Sequence, residues 1–461
     1  MNLSFLKNKK IAVLGLGIEN FALLNFLLAK KISSSFTVFD ARQAKELGHK
    51  QKVLAGKPIK WQVYQPDKTN FKKYDILFRS PGWPLFDENI SKAKKQGIVV
   101  SSPMQLFFKL CPTKNIVGVT GTKGKGTTSS LIAKMLKKGK KRVWLGGNIG
   151  IAPFGFIHKI KKHDWVVLEL SSFQLEDLKQ SPKIAVVTNF YPEHLQAADP
   201  LNPNFHRSLS DYWQAKYNIV RWQKASHYTV ANYKLKTKLT KNKQVSKTYF
   251  FSNNNQRADA YFINGDLVLL ETQFQTAVKV PGEHNKENIA AAALAARLAG
   301  ASIKHINNAI SEFCGLEHRL ELIANAGGIQ YYNDSFATTP EAAITALRSF
   351  SRPIVLIAGG AEKNSDFAEL AKEIKAKAKF VVLLKGKATP RLKKDIKKAG
   401  FDKTKIKIAS NMAAAVKTAY VQAQPGDIIL LSPACASFGL FNNYKERGEQ
   451  FRKEIEKLTQ K

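Results

Sequence analysis

The sequence predicts an α/β protein of three domains, and three observations carry that prediction. The chain has 461 residues, too many for one hydrophobic core and suited to two or three domains of ordinary size. Short apolar runs recur without polar alternation at 11–14, 116–119, 165–168, 184–187, 354–358, 380–384 and 428–431; continuous apolarity marks strands buried on both faces, as in parallel sheets covered by helices. Helical patterns lie between the runs, and glycine-rich or polar residues follow the strands, where an α/β fold carries its functional groups.

Taken in order, the first block, 1–111, opens with the run at 11–14 and the glycine loop Gly15-Leu-Gly17, and ends near Cys111-Pro112. The second, 112–314, holds the runs at 116, 165 and 184. Its helical pattern at 127–138 places Leu131, Ile132, Met135 and Leu136 on one face and stops at Gly139, with lysines in the last turn. An alanine-rich helix follows at 288–298, stopped by Gly300. The polar, basic stretch 232–256 reads as partly irregular, and 260–271 as a hairpin around Asn264-Gly265, a pair suited to a turn with positive φ. The third block, 315–461, carries the remaining runs.

Composition narrows the classes. Lys plus Arg number 73 against 35 Asp plus Glu, a formal charge of +38, which favours acidic partners. The lysines are spread along the whole chain, as on solvated faces, rather than gathered into a nucleic-acid-binding arm. Cys111, Cys314 and Cys435 lie far apart with no CxxC pair, so neither a disulfide framework nor a zinc site is expected. With no signal-peptide core and no apolar run of membrane length, a cytoplasmic location is expected.

The chemistry concentrates in Ile116-Val-Gly-Val-Thr-Gly121-Thr-Lys-Gly124-Lys125-Gly-Thr127-Thr: a buried strand, a glycine-rich loop and a helix start. Glycines let successive N–H groups converge on phosphate oxygens, the helix N-terminus adds partial positive charge, and Lys125 can reach the outer phosphates. Gly124 lies six positions after Gly118, where the common GxxxxGK[ST] loop has five. By contrast, Gly15-Leu-Gly17 is a weak dinucleotide signal, because Asn20 replaces the third glycine of that fingerprint.

The GxxGxxGK spacing resembles the superfamily of Mur ligases and folylpolyglutamate synthetases. The strings Gly146-Gly-Asn148-Ile-Gly150, Leu168-Glu169-Leu-Ser-Ser-Phe-Gln-Leu-Glu176, Thr188-Asn189, Glu193-His194, Pro281-Gly-Glu-His-Asn285-Lys-Glu-Asn288, His318-Arg319, Asn333-Asp334-Ser335 and Leu431-Ser-Pro-Ala-Cys-Ala-Ser437-Phe438 are similar to the glutamate-adding branch of the Mur ligase family, in the right order over nearly the whole length. The resemblance implies a Rossmann-like N-terminal domain for a UDP-sugar substrate, a central P-loop ATPase-like domain with a mainly parallel sheet, and a Rossmann-like C-terminal domain for glutamate. It implies an ATP- and Mg²⁺-dependent enzyme that joins glutamate to UDP-N-acetylmuramoyl-L-alanine through an acyl phosphate. Its partners would be small molecules rather than nucleic acid or membrane, and the protein would be a monomer.

Residue roles follow from the same resemblance. Lys125, Glu169, His194 and Lys216 would be catalytic; Thr127, Glu169, His194 and a carbamylated Lys216 would hold Mg²⁺. ATP would be contacted by Gly121, Thr122, Lys123, Gly124, Lys125, Gly126, Thr127, Asn285, Asn288, Arg319 and Asp334. Gly15, Gly17, Asp40, Arg42, Ser80, Gly82 and Asn148 would hold the UDP-substrate; Thr338, Lys363, Ser437 and Tyr444 would hold glutamate. Read without the resemblance, Glu169 is a cap or ion pair, and His194, Lys216 and Arg42 are surface residues. The chain departs from the family at Lys123, where Asn is usual, at Gly126, where Ser or Thr helps hold Mg²⁺, and at Phe336, where the best-known members have Lys. Gly360-Ala-Glu-Lys363 also lacks their Asp. The string Asn333-Asp-Ser-Phe-Ala-Thr-Thr-Pro340 is closer to a variant branch in which some members add L-glutamate, so both stereoisomers stand. A folylpolyglutamate-like ligase, a basic nucleic-acid-binding P-loop protein and an inactive homologue are the rival readings.

Overall fold

The computed structural model describes residues 2–197, 203–240, 245–362 and 365–459, which build three sheets within two compact units. The first unit comprises Met1–Thr276 and Lys286–Ala309 and holds two of the sheets. Its N-terminal sheet contains β1 (Lys10–Leu14), β2 (Ser35–Asp40), β3 (Ile59–Val63), β4 (Ile76–Arg79) and β5 (Val99–Ser101), ordered β3-β2-β1-β4-β5 and parallel throughout. The chain leaves β1 in one direction for β2 and β3 and returns on the other side for β4, so the strand ends of β1 and β4 part around a crevice, the usual ligand position in such sheets.

The second sheet contains β6 (Ile116–Thr120), β7 (Val143–Gly147), β8 (Trp165–Glu169), β9 (Ile184–Val187), β10 (Tyr228–Asn232), β11 (Lys247–Phe251), β12 (Ala260–Ile263), β13 (Asp266–Leu269) and β14 (Thr272–Phe274), in the order β14-β13-β12-β11-β10-β9-β6-β8-β7. Pairing is parallel from β7 to β12 and antiparallel only at the β12–β13 and β13–β14 pairs. β6 lies in the interior, flanked by β8 and β9, so the ends of these three strands open side by side. The helix Lys125–Lys138 covers this region, with Leu131, Ile132, Met135 and Leu136 fully buried; each such side chain contributes about 1.5–3 kcal/mol. It starts at Lys125, two residues before the pattern at 127–138, because Gly124 takes a left-handed conformation that turns the loop directly into the helix.

Other elements also differ from the sequence expectation. The alanine-rich helix runs Glu283–Leu298, longer by its polar first turn. The stretch 232–256 is more regular than expected: it includes the helix Lys236–Thr240 and β11, which pairs in parallel with β10. The hairpin is present, with Asn264 at φ +51° and Gly265 at φ +89°. No helix among the described residues is long and apolar enough to cross a membrane.

The second unit, Ala277–Asn285 with Ile310–Lys461, contains β15 (Glu321–Ala326), β16 (Ile329–Asn333), β17 (Ile354–Ala358), β18 (Ala378–Leu384), β19 (Ile406–Ala409) and β20 (Ile428–Leu431), ordered β15-β16-β20-β17-β18-β19. Only the β15–β16 pair is antiparallel. β17 and β20 are buried along their full lengths, which accounts for their unbroken apolar sequences.

Within the first unit the two sheets are joined by a buried guanidinium. Arg79 ends β4 and has no exposed surface. It donates to Asp177 Oδ2 from Nε and Nη2 at 3.2 Å each, to the Phe173 carbonyl at 3.0 Å and to the Trp83 carbonyl at 2.7 Å. Glu176 lies 3.4 Å away, and Ser102 donates to the other Asp177 oxygen. Close by, Glu19 accepts from the Gln174 amide, while its Oε2 is buried with no hydrogen-bond partner among the described residues. Burial raises the Glu19 pKa from 4.5 to about 7, against the smaller opposing effects of Gln174 and Arg79.

Removing one partner of a buried ion pair strands the other, at a cost of about 3–5 kcal/mol. Arg79→Met is therefore expected to lower the unfolding free energy by about that amount, measured by chemical denaturation, with Asp177→Asn non-additive in a double-mutant cycle. Glu19 gives a pH prediction. Its folded pKa is raised, so its contribution to stability is intact below pH 4.5 and is lost as pH rises towards about 7. Glu19→Gln should flatten thermal stability across that window and raise Tm at pH 8.

Candidate active site

The loop after β6 is shaped by glycine geometry and held by the end of β9. Gly121 has φ +145° and Gly124 φ +82°; a Cβ at Gly121 would overlap the Thr188 hydroxyl, and one at Gly124 the Asn288 amide oxygen. Thr188 donates to the Lys123 carbonyl at 2.6 Å, and Asn189 Nδ2 donates to the same oxygen at 3.0 Å. Asn189 Oδ1 accepts from the N–H groups of Thr122 and Lys123 at 3.1 and 2.8 Å. Thr122 and Lys123, which the resemblance places at ATP, thus have their N–H groups on Asn189 in this structure. The helix begins directly after, and its first turn, Lys125–Thr127, adds the partial positive charge of a helix N-terminus. Thr127 is half-buried in that turn and Gly126 is buried.

Two lysines meet at one carbonyl. Lys125 Nζ donates to the Gly121 oxygen at 3.1 Å and to the Thr122 oxygen at 2.8 Å, and Lys216 Nζ donates to the Gly121 oxygen at 2.8 Å. Lys216 projects from the helix Leu209–Arg221 and is 2% exposed, so the surface-lysine reading fails. Tyr212, one turn earlier on the same helix face, lies with its ring 4.6 Å below the Lys216 ammonium, and its hydroxyl meets Thr122 Oγ1 at 3.1 Å. Burial, and then the charge of Lys125, push the Lys216 pKa well below the ordinary lysine value.

Glu169, at the end of β8, is 6% exposed. Its Oε1 accepts from Asn148 Nδ2 at 2.8 Å, and its carbonyl accepts from the Asn148 N–H at 2.9 Å, so Asn148 orients this carboxylate. Ionised, the group keeps further lone pairs for a cation. His194 has φ +59°, its ring set edge-on to Phe173 at 5.2 Å and to Tyr212 at 6.1 Å. Partial burial, with Lys216 and Lys125 nearby, lowers its pKa; the neutral ring offers a lone pair. The structure thus links Lys125, Lys216, His194 and Thr122 through Gly121 and Tyr212, and sets Glu169 with Asn148 two strands from the end of β9.

In the N-terminal crevice, Gly15 has φ +74°, and a Cβ there would come within 2.6 Å of Ser80 Oγ. Asp40 Oδ2 accepts from the Leu16 N–H at 2.8 Å, and Arg42 closes on Asp40 with bonds of 2.8 and 3.0 Å. Gly17 precedes the helix Ile18–Ala29, and Gly82 lies in the turn closed by the Trp83 N–H on the Ser80 carbonyl. Asn20, which breaks the dinucleotide fingerprint, donates to the carbonyls of Leu14, Gly15 and Phe78 at 2.9–3.1 Å and so ties β1 to β4. Its tying role is not visible from the motif.

In the second unit, Asp334 follows β16, with its carboxylate held by Ser432 Oγ at 2.8 Å and the Leu320 N–H at 3.2 Å. Burial raises its pKa to about 7. The segment 434–437 lies beside the end of β16 and the end of β17: Ala434 N–H donates to the Ala337 carbonyl, and Ala361 N–H to the Ala436 carbonyl, each at 2.9 Å. This gathers Thr338, Ser437 and the 361 loop; Lys363 lies outside the described residues. Tyr444 begins the helix Tyr444–Thr459. Arg447, part of the family resemblance but given no role by the sequence, is buried and donates to Ser335 Oγ, the Ser335 carbonyl and the Cys435 carbonyl at 2.8–3.1 Å. Asn285 Nδ2 donates to the Pro281 carbonyl at 2.7 Å, and in the first unit Asn288 accepts from Thr128 at 3.4 Å.

Three family models match the chain in sequence order: the Mur ligase MurD-like N-terminal domain over 9–102, the Mur ligase middle domain over 119–296, and the Mur ligase glutamate ligase domain over 318–435. UDP-N-acetylmuramoylalanine--D-glutamate ligase of Acetivibrio thermocellus is 37% identical, over 98% of this chain and 97% of that protein. The enzyme of the same name from Clostridium tetani is 36% identical, over 98% of each. Among solved structures, the UDP-N-acetylmuramate-alanine ligase MurC of Thermotoga maritima has a TM-score of 0.59 at 18% identity, over 98% of this chain and 100% of that one. MurF ligase of the same organism, solved in complex with ADP, has a TM-score of 0.58 at 17% identity, over 99% and 97%; these two show the shared fold. With a phosphate loop braced by neighbouring strand ends, and relatives matching from end to end, the chain belongs to the Mur ligase family.

Proposed function

We propose that the protein is an ATP-dependent ligase that joins D-glutamate to UDP-N-acetylmuramoyl-L-alanine, an amide-forming step of peptidoglycan precursor synthesis. The observation that carries this reading is the meeting of Lys125 and Lys216 at the Gly121 carbonyl, beside the N-terminus of the Lys125–Lys138 helix. The Lys125 ammonium and a helix N-terminus suit the polyphosphate of ATP and the developing charge of a transferring phosphoryl group. In this reading residues 1–111 hold the UDP portion through Gly15, Gly17, Asp40, Arg42, Ser80 and Gly82. Residues 112–314 hold ATP on the loop Gly121–Thr127 and on Asn288, with Asn148 at the UDP-substrate. Residues 315–461 supply Arg319 and Asp334 for the nucleotide, and Thr338, Lys363, Ser437 and Tyr444 for glutamate; Asn285 serves the nucleotide base.

The residues around the loop fit Mg²⁺. Glu169 brings an oriented carboxylate with unused lone pairs, and His194 a neutral ring. Lys216, with its lowered pKa, spends more of its time as a free amine; such an amine adds carbon dioxide to form a carbamate, giving the oxygen donors that Mg²⁺ prefers. Thr127 stands where a hydroxyl can substitute for the one missing at Gly126. When bound, Mg²⁺ neutralises charge on the phosphoryl oxygens. Lys125, now on the carbonyls of Gly121 and Thr122, would turn to the outer phosphates; the substrate carboxylate attacks the γ-phosphorus and ADP leaves, and the amine of glutamate then displaces inorganic phosphate from the acyl phosphate and gives up a proton. The protein's part is positional and electrostatic, with no covalent enzyme intermediate. Small soluble substrates, a cytoplasmic location and a monomeric state belong to the same reading.

The test is phosphate release with ATP and UDP-N-acetylmuramoyl-L-alanine in the presence of D-glutamate, L-glutamate or neither. Release with D-glutamate is expected; release with L-glutamate alone would reassign the stereochemistry, and release with neither isomer would sink the ligase reading. In the same assay Lys125→Ala should lower turnover on the order of 10²–10³-fold, the loss typical of one removed electrostatic stabiliser. Unchanged turnover in that variant would remove Lys125 from the mechanism.

A further inference from the structure

In the second unit an aromatic ring stands between two residues with different proposed roles. Phe336 follows Ser335 in the turn after β16 and is 39% exposed. One face carries the Arg319 guanidinium, whose Cζ lies 3.8 Å from the ring centroid. The ring also meets Tyr444 edge-to-face, with centroids 4.9 Å apart and planes at 88°. Tyr444 in turn meets the ring of His318 at 6.0 Å and 85°. The backbone beneath is fixed: the Phe336 N–H donates to the His318 carbonyl at 2.9 Å, Ser335 Oγ donates to the Tyr444 carbonyl at 2.7 Å, and buried Arg447 holds Ser335 through both its hydroxyl and its carbonyl. The ring is thus a rigid platform beneath Arg319, a long and exposed side chain.

We propose that Phe336 is a positioning residue that holds the Arg319 guanidinium ready for the nucleotide and couples it to the glutamate-contacting residue Tyr444, a reading that rests on the roles given above to Arg319 and Tyr444. The physical basis is the attraction of a guanidinium to an aromatic face, together with the ordering cost that a pre-placed side chain avoids on binding. The edge contact with Tyr444 makes the coupling mutual, because the ring cannot tilt to follow Arg319 without moving the Tyr444 edge. A lysine at 336 would set an ammonium against Arg319 and break the stack, whereas a tyrosine keeps the ring face and can carry its hydroxyl into solvent.

The experiment compares Phe336→Ala, Phe336→Leu, Phe336→Lys and Phe336→Tyr in the full chain, with Tm confirming that each is folded. Expected are KM values for ATP raised roughly two- to ten-fold in the alanine and leucine variants, more in the lysine variant, and restored in the tyrosine variant. The glutamate KM should rise alongside and kcat should change less. Arg319→Ala combined with Phe336→Ala should be no worse for ATP than Arg319→Ala alone, since a ring that acts through Arg319 has nothing left to position. Additive effects, or a leucine variant as good as tyrosine, would overturn the proposal, because either would reduce Phe336 to apolar packing. The same cycle read as ATP affinity by calorimetry needs no turnover. Wild type that binds ATP but releases no phosphate with either glutamate isomer defeats the ligase reading, while the calorimetric cycle still decides whether Phe336 positions Arg319.

Discussion

The centre of the protein depends on one carbonyl oxygen. Gly121 accepts from both Lys125 and Lys216, and it can do so because its backbone, at φ +145°, turns the carbonyl away from the sheet towards the helix Leu209–Arg221. Nothing but glycine fits there, since any Cβ meets Thr188. The arrangement crowds two amino groups at one oxygen; burial first, and then the charge of Lys125, holds the Lys216 pKa well below the ordinary lysine value. A polyanion relieves that crowding. The loop is therefore not a passive cradle: its resting hydrogen bonds hold positive charge in a place where anionic ligands are the better partners.

The same constraint explains the bracing around the loop. A backbone bent this far gives up sheet and helix hydrogen bonds, and each lost partner must be replaced. Thr188 and Asn189 replace them from β9, Tyr212 and Tyr191 through Thr122, and Asn288 packs against Gly124. Parallel order brings these supports together, because β6 lies between β8 and β9 and all three strands end on one side. The N-terminal crevice follows the same rule with different residues: Asn20 and Asp40 satisfy the amides and carbonyls of the Gly15 loop, and Arg79 joins that sheet to the segment after β8.

What was legible in the sequence divides along physical lines. Fully buried parallel strands announce themselves as unbroken apolar runs, so β1, β6, β8, β9, β17, β18 and β20 were readable. β3, with a mostly exposed pattern, and β11, half-buried at the margin of the parallel order, carry no such signal. Loop glycines and Lys125 were readable from spacing alone, since backbone geometry and helix termini are local properties. Lys216 was singled out by the family resemblance and not by spacing; in physical terms its burial against Gly121, 95 residues away in sequence, is what separates it from dozens of surface lysines. Asn189, Asn20 and Arg447 act through bonds to backbone atoms of distant segments, and a polar side chain that satisfies a remote carbonyl looks in sequence like any other polar residue. Arg42 is an intermediate case: the sequence offers a cation, and the structure shows that cation already paired with Asp40.

The most conspicuous number in the composition, a formal charge of +38, turns out to carry little of this chemistry. Exposed charges are screened over about 8–10 Å at ordinary ionic strength, so most of the lysines act on ligands only as a diffuse, salt-sensitive attraction. Lys125 and Lys216 differ not in kind but in setting: one is held by two carbonyls of the loop it serves, the other is buried over a tyrosine ring. There the effective dielectric is lower, so the charge of Lys125 is felt more strongly and a charge on buried Lys216 is disfavoured. Arg319 sits between these cases, exposed yet seated on an aromatic face, with its direction set by Phe336 rather than by burial. Charge at the proposed sites is thus governed by where the fold confines a cation, and confinement comes from glycine backbone, strand ends and aromatic rings rather than from the number of basic residues.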